Sequence, residues 1–457
     1  MTEEIRDRRT LWFGVLPVVA WLVLVLPVVC SGLIGTASAW DQEYFHRPVI
    51  HILSAGLPAP SFFDYGSATT PGYHLVLAVL DRFGADDLAL RIVSSLFALA
   101  ASVVLARVVA RLSTPAFGAL SGLLFLLNPY ILGSAMHLST DAFAFLFLIL
   151  AIAAGIDIAR DGVSMRVAVR GMVWSCAAAM VRQVLLWCAG IPFVAVLLRI
   201  GAGLESRKLR ALAVTSVMNL PGVLLVGAFV VLWEGLIPPG FRIIHGSGVN
   251  STTPIYVLAL VGCWGALIAA VHPSFFVAVR SKQAILCGIG AGCLALLVKS
   301  SYDGPHDGIR WGGTLWTVAR YTPVIMERSI VIVALAVCGG AVIGAILRLA
   351  QGHPRRVECW TALLALALGS LAQTLNTKCF ERYALPVVLI VIPIAVGVLL
   401  PAVGAEKVPS ARARLRFPLA ALCLLFIVAT ADIYLRLGRE NPPPPLPHEF
   451  RPIAPAR

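Results

Sequence analysis

The chain has 457 residues, of which 59% are hydrophobic and only 13% charged, and its mean hydropathy is +0.88. Soluble domains carry about 25% charge, so these figures exclude an ordinary soluble enzyme, a disordered chain and a nucleic-acid module. The net charge of +13 calls for no acidic partner once the positions of the basic residues are considered.

In chain order, apolar runs suited to a bilayer core of about 30 Å recur near residues 11–35, 86–106, 115–133, 142–158, 168–181, 183–198, 211–236, 254–271, 284–300, 327–347, 358–374, 384–400 and 417–435. They predict an all-α, multi-pass integral membrane protein with about thirteen transmembrane helices. If the basic start MTEEIRDRRT is cytoplasmic, then Arg107, Arg111, Arg160, Arg166, Arg170, Arg199, Arg348, Arg355 and Arg356 fall on the same side, as the positive-inside rule requires. That order treats the run Pro71 to Phe83 as an interfacial helix. It also gives a long first external loop over 36–87, where function tends to sit. The expected organisation is a membrane core over 1–400, followed over 401–457 by a last helix and a proline-rich tail. The ten cysteines lie mostly in apolar runs and read as small buried hydrophobes.

The polar residues of interest cluster just outside the expected helix ends, on the non-cytoplasmic side. The first loop carries Asp41, Gln42, Glu43, Tyr44, Phe45 and His46. A carboxylate partly withdrawn from water there gains basicity suited to general-base work; an ordinary hydrated acidic loop is the alternative. Further on come Thr69, Thr70, Pro71, Gly72, Tyr73 and His74, a helix start whose free N–H groups suit an anion or simply a cap. His137, Leu138, Ser139, Thr140 and Asp141 open a strongly apolar helix. Arg182 with Gln183 interrupts an apolar stretch, and Arg382 sits in the run Lys378 to Tyr383. A cation at membrane depth faces a cavity or a partner, so each arginine either holds a phosphate by a two-pronged hydrogen bond or joins an internal pair such as Glu381 with Arg382. His245 and the stretch 301–321 add polar groups in later external loops, with no defensible metal-ligand spacing.

These residues together resemble the GT-C class of membrane glycosyltransferases, and within it the dolichyl-phosphate-glucose alpha-1,2-glucosyltransferases. Glu43 to His46 is similar to that family's Asp-Glu-aliphatic-Phe-His motif, and Thr69 to Gly72 to its Thr-Thr-x-Pro-Gly. Arg182 and Gln183 are similar to the start of its Arg-Gln-Thr-Asn, and Phe380 to Pro386 to its Glu-Phe-Arg-Tyr segment. The sequence departs at Gln42, where the motif has Asp, and at Val184 and Leu185, which replace Thr-Asn. The resemblance implies transfer of a sugar, with inversion, from a polyprenyl-phosphate donor to a hydroxyl of a glycan or lipid-linked acceptor on the periplasmic, extracellular or lumenal face. In that scheme Asp41 or Glu43, with Asp141, is catalytic, and Arg182, Arg382 and Gln183 hold the donor phosphate. His46, Thr70, Tyr73, His137, His245 and Tyr383 line the pocket. Neither metal nor cofactor is called for; the rival readings are a lipid-linked glycan flippase and an envelope glycan polymerase.

Overall fold

A computed structural model describes residues 15–31, 41–63, 65–242, 248–300 and 310–400, with 420, 421, 424, 425, 428 and 431. The protein is built from helices, with two-stranded pairings in its connections. Seven helices among the described residues are long and apolar enough to cross a membrane: Asp87–Leu112, Thr140–Asp161, Gln183–Gly201, Lys208–Trp233, Thr252–Ala269, Ile330–Ala350 and Glu381–Leu399. Pro115–Leu126 and Pro129–Met136 add an eighth if the pair, bent by 65°, is one span.

Seven or eight such helices among the described residues do not support the expected count of thirteen. Val15–Cys30 and Lys282–Leu297 are apolar but shorter. Met165–Val181 has 17 residues and begins with Arg166 and Arg170 in its first turns, while Arg356–Gln373 opens on Arg356 and Glu358. The run expected near 417–435 and the tail after 400 lie largely outside the described residues.

Helix starts follow the capping chemistry written in the sequence. Asp86 accepts from the Ala89 N–H at 2.8 Å, Asn128 from the Tyr130 N–H at 3.0 Å, and Ser139 from the Asp141 N–H at 3.3 Å, each filling an orphan donor of a first turn. Glu381–Leu399 is buried along nearly its whole length and packs against Asp87–Leu112, Pro115–Leu126, Thr252–Leu260 and Arg356–Gln373. Lys208–Trp233 lies at the periphery, with Val217, Leu220, Val223, Leu224 and Val231 facing outward, as expected of a lipid-facing helix.

Two features place the site. The run after Pro71 forms Gly72–Arg82, eleven residues, about 16 Å long and too short to span. It packs on Arg47–Gly56, and Val76, Val79 and Phe83 are exposed along it. At the other end of the bundle Asp157 is 6% exposed and holds Arg111 at 2.8 Å and Arg170 at 2.6 Å. Asp141 and Asp157 lie in the first and last turns of one helix, Thr140–Asp161, so about 24 Å separates them. Of the cysteines, Cys188, Cys359 and Cys379 are buried as expected, whereas Cys30, Cys263, Cys293 and Cys338 are on outward helix surfaces.

Candidate active site

Three breaks in helical structure deliver the charged side chains to one hollow. The helix Met165–Val181 ends at Arg182, whose backbone is extended (φ −146°, ψ 110°) before the chain turns into Gln183–Ala189. Arg382 stands in the first turn of Glu381–Leu399, just after Phe380, also extended. The approach to that turn is pinned by parallel pairing of Lys378–Phe380 with Arg310–Gly312. Asp41 precedes a wide helical turn, Gln42–His46, closed by a hydrogen bond from the Arg47 N–H to the Gln42 carbonyl, five residues back.

The hollow has a volume of about 650 Å³. Its polar side is formed by Asp41, His46, Asp141, Arg182, Lys378, Arg382 and Tyr383, and its apolar side by Phe45, Leu186, Trp187, Val226, Leu236, Ile237, Phe241 and Leu375. A second hollow of about 380 Å³ shares Asp41, Ser139, Asp141 and Arg382 and is lined further by Tyr130, Ser134, His137 and Thr314.

Two Asp–Arg pairs face the cavity. Arg382 Nη1 donates to Asp41 Oδ2 at 2.8 Å, and Arg182 pairs with Asp141. Tyr383 lies between the two guanidinium groups, 4.7 Å from Arg182 and 4.9 Å from Arg382 by ring centroid, and its hydroxyl accepts from Arg382 Nη2 at 2.8 Å. Cations held over an aromatic face at these distances gain attraction that offsets their mutual repulsion. Burial works to raise the Asp41 carboxyl, but the positive charge of Arg382 leads a set of effects that outweigh it, so Asp41 is held below the usual carboxylate range. His46 is lowered to about 4, by burial first and then by Arg382 and Arg182, against the opposing charge of Asp41.

The other expected site residues divide sharply. Glu43 is absent from the cavity lining; it accepts from Arg47 at 3.1 Å and from the Gln42 amide at 2.8 Å. Gln183 lines the cavity, but its amide is occupied by backbone. It accepts from the Thr70 N–H at 3.0 Å and donates to the carbonyls of Ala68 and Leu236, both at 2.8 Å. Thr70 has no exposed surface and donates its hydroxyl to the Ala179 carbonyl at 2.6 Å. Tyr73 is equally buried and bonded to Ser94 at 2.9 Å, and His137 faces the second hollow. His245 and residues 301–309 lie outside the described residues.

The pairing of Glu381 with Arg382 does not form. Glu381 Oε2 instead accepts from the Tyr256 hydroxyl at 3.0 Å, the Tyr130 hydroxyl at 3.3 Å and the Leu315 N–H at 2.9 Å. It is a latch that ties three segments beside the cavity and leaves Arg382 for Asp41. Gln42, standing where the family motif has its acid, is 2% exposed and accepts from the Leu138 N–H at 2.9 Å. Three residues of the site are given no role of their own by the sequence. Lys378 stands out there only as a neighbour of Arg382, and His74 and Tyr65, which stand behind His46, carry no spacing signal because 28 and 19 residues separate them from it along the chain.

No family model matches the chain, and no curated protein matches it. Two solved structures of ArnT from Cupriavidus metallidurans are similar. The apo form is 16% identical with a TM-score of 0.35, covering 84% of this chain and 77% of that one. The form bound to undecaprenyl phosphate is 16% identical with a TM-score of 0.34, covering 83% and 77%. A likeness at this level leaves the functional reading to the cavity itself.

Proposed function

We propose that the protein is a membrane glycosyltransferase that takes a polyprenyl-phosphate sugar as donor and passes the sugar to a hydroxyl of a glycan or lipid-linked acceptor. The observation that carries this reading is the convergence of Asp41–Arg382 and Asp141–Arg182 about Tyr383 in one half-apolar cavity. An apolar wall suits a lipid tail, and paired guanidinium groups suit a phosphate held by several charge-assisted hydrogen bonds. The cavity lies at the end of Thr140–Asp161 opposite the arginines around Asp157, which favours the non-cytoplasmic side under the positive-inside rule.

In this scheme the phosphate of the donor replaces Asp41 on Arg382. The freed carboxylate takes the proton of the acceptor hydroxyl, which enters from the second hollow and attacks the anomeric carbon in line, with inversion. The lipid phosphate leaves with its growing charge met by Arg382 and Arg182, and Lys378 stands on the same wall. Preorganised donors of this kind are typically worth about 10² to 10³ in rate each. Asp141 stays on Arg182, in the first turn of its helix, where the helix dipole favours a carboxylate. Gln183 and Thr70 act by fixing the loop at 68–70 rather than by touching the phosphate. The finer likeness to glucosyl transfer from dolichyl phosphate belongs to this proposal, with the departure at Gln42 standing against it.

The test is turnover by purified protein in nanodiscs with a panel of synthetic polyprenyl-phosphate sugars, read as released or transferred sugar by mass spectrometry. Undetectable turnover with every common sugar, alongside measurable lipid translocation in vesicles, would make the protein a flippase instead.

A further inference from the structure

Behind the cavity wall runs a chain of three side chains that the two ion pairs do not use. His46 lines the cavity, and its Nδ1 lies 2.9 Å from His74 Nε2. His74 Nδ1 in turn is hydrogen-bonded to the Tyr65 hydroxyl. The two imidazoles meet nitrogen to nitrogen with centroids 5.1 Å apart and planes inclined by 26°, Tyr73 meets both rings edge-on, and the Tyr65 ring is parallel to Trp233 within 3°. His74 has no exposed surface and Tyr65 is 4% exposed. Rings packed this way cannot turn to change partners, so the hydrogens are set by the partners present.

Those partners define one direction. Burial holds the Tyr65 phenol in its protonated form, far above its ordinary range. A phenol O–H is a stronger donor than a neutral imidazole N–H, so the phenol's hydrogen goes to His74 Nδ1. A neutral imidazole carries one N–H, so His74 carries its hydrogen on Nε2 and donates to His46 Nδ1. By the same count, His46 carries its hydrogen on Nε2, the nitrogen left for the cavity.

We propose that the chain Tyr65–His74–His46 presents a neutral N–H donor, His46 Nε2, to an oxygen of the lipid-linked phosphate held between Arg182 and Arg382. This inference rests on the lipid-phosphate reading of the cavity and adds the third contact to the anion. His46 touches the phosphate; His74 and Tyr65 are positioning residues that act through it. The charged groups facing His46 are Asp41, Arg382 and Arg182, and Tyr73 closes the ring faces from the side. Because burial and the two arginines hold His46 uncharged down to about 4, the donor adds no third cation to the site. A donor aligned beforehand costs no reorganisation when charge develops on the phosphate.

The experiment uses the full chain in nanodiscs with ¹⁵N-histidine labelling and farnesyl monophosphate as the probe. Long-range proton–nitrogen spectra are expected to show both His46 and His74 as Nε2–H tautomers, with the His46 Nε2 signal moving as farnesyl phosphate is added. Tyr65→Phe keeps the ring against Trp233 and removes only the hydroxyl. It is expected to weaken farnesyl phosphate binding about 10-fold, the scale of a hydrogen bond to a charged group. His46→Gln, which retains an N–H donor, is expected to bind more tightly than His46→Ala. An Nδ1–H tautomer at His46, or Tyr65→Phe binding as tightly as wild type, overturns the inference while leaving the lipid-phosphate reading intact. Failure of the wild-type protein to bind farnesyl phosphate overturns that reading, and the inference with it.

Discussion

Arg182 and Asp141 are 13% and 11% exposed at the side chain, against 37% and 41% for Arg382 and Asp41, and the contrast separates structural from exchangeable charge. Removing one partner of a buried pair strands the other without solvent, a loss of about 3 to 5 kcal/mol, whereas an open pair contributes about 1 kcal/mol or less. Arg182→Ala is therefore expected to lower unfolding stability by about 3 kcal/mol, read by denaturant titration in detergent. Asp41→Asn should leave stability within about 1 kcal/mol of wild type yet reduce transfer by about 10² to 10⁴ through loss of the base. Full transfer by Asp41→Asn would remove Asp41 from the acid–base step. Arg382→Ala should reduce the rate by about 10² to 10³, with a smaller effect on stability than Arg182→Ala; the reverse order would mean that the roles of the two arginines are exchanged. Arg182 and Arg382 stand out in the sequence because charge inside apolar runs is costly and therefore conspicuous. Their pairing was not legible, since adjacency along the chain suggested Glu381 for Arg382, and only the fold shows that Tyr130, Tyr256 and the Leu315 N–H already occupy Glu381.

Among the described helices, Thr252–Ala269 and Ile330–Ala350 approach closely. A Cβ on Gly339 would run into the Leu258 carbonyl, and one on Gly262 into the Leu335 carbonyl, so each glycine is a contact surface for the other helix's backbone. Small residues that let backbones touch are the usual means of association where lipid removes the hydrophobic drive between helices. Gly339→Ala must push the helices apart and is expected to cost about 1 to 3 kcal/mol, measured as a lowered midpoint of thermal unfolding; an unchanged midpoint would mean the two helices can separate freely. Gly290, where an added methyl group would meet nothing within 4 Å, supplies the control substitution to Ala, expected to be neutral or slightly stabilising. The wide turn at Gln42–His46 shows a different limit of legibility. A turn closed five residues back takes in one residue more than an α-turn, and this is where Asp41 stands one place ahead of the motif's acid. The sequence exposed the offset at Gln42, but a shift in register of a single turn has no signature in hydrophobic periodicity.

For the molecule as a whole, hydropathy identified a helical membrane protein correctly, but among the described residues Met165–Val181 and Arg356–Gln373 fall outside the seven helices that meet the length and apolarity of a span, being short or charged at their ends. The arginines gathered at Asp157 and the cavity at Asp141 occupy opposite ends of one helix. His46 is lowered to about 4 by burial and the nearby arginines, and His74 is lowered well below its usual value by burial and by His46. Both groups are neutral in the folded protein, where the unfolded chain takes up protons near pH 6.5. Between pH 6.5 and about 4 the unfolded state therefore binds more protons than the native state, and stability rises with pH across that window. The stabilisation is fully present above pH 6.5 and falls steadily on acidification. Below pH 3.8, the ordinary carboxylate value, Asp41 adds a further loss as its carboxylate is protonated and its bond to Arg382 is given up. Denaturation midpoints measured from pH 7.5 to 4.5 should thus decline, and in His74→Gln the slope should flatten even if the midpoint at pH 7.5 is lower, because one of the two proton-binding differences has been removed. A slope equal to wild type in that variant would mean that His74 takes up its proton in the folded protein at the same pH as in the unfolded chain, and on acidification the buried chain behind the cavity would then carry a charge that its surroundings give no means to hold.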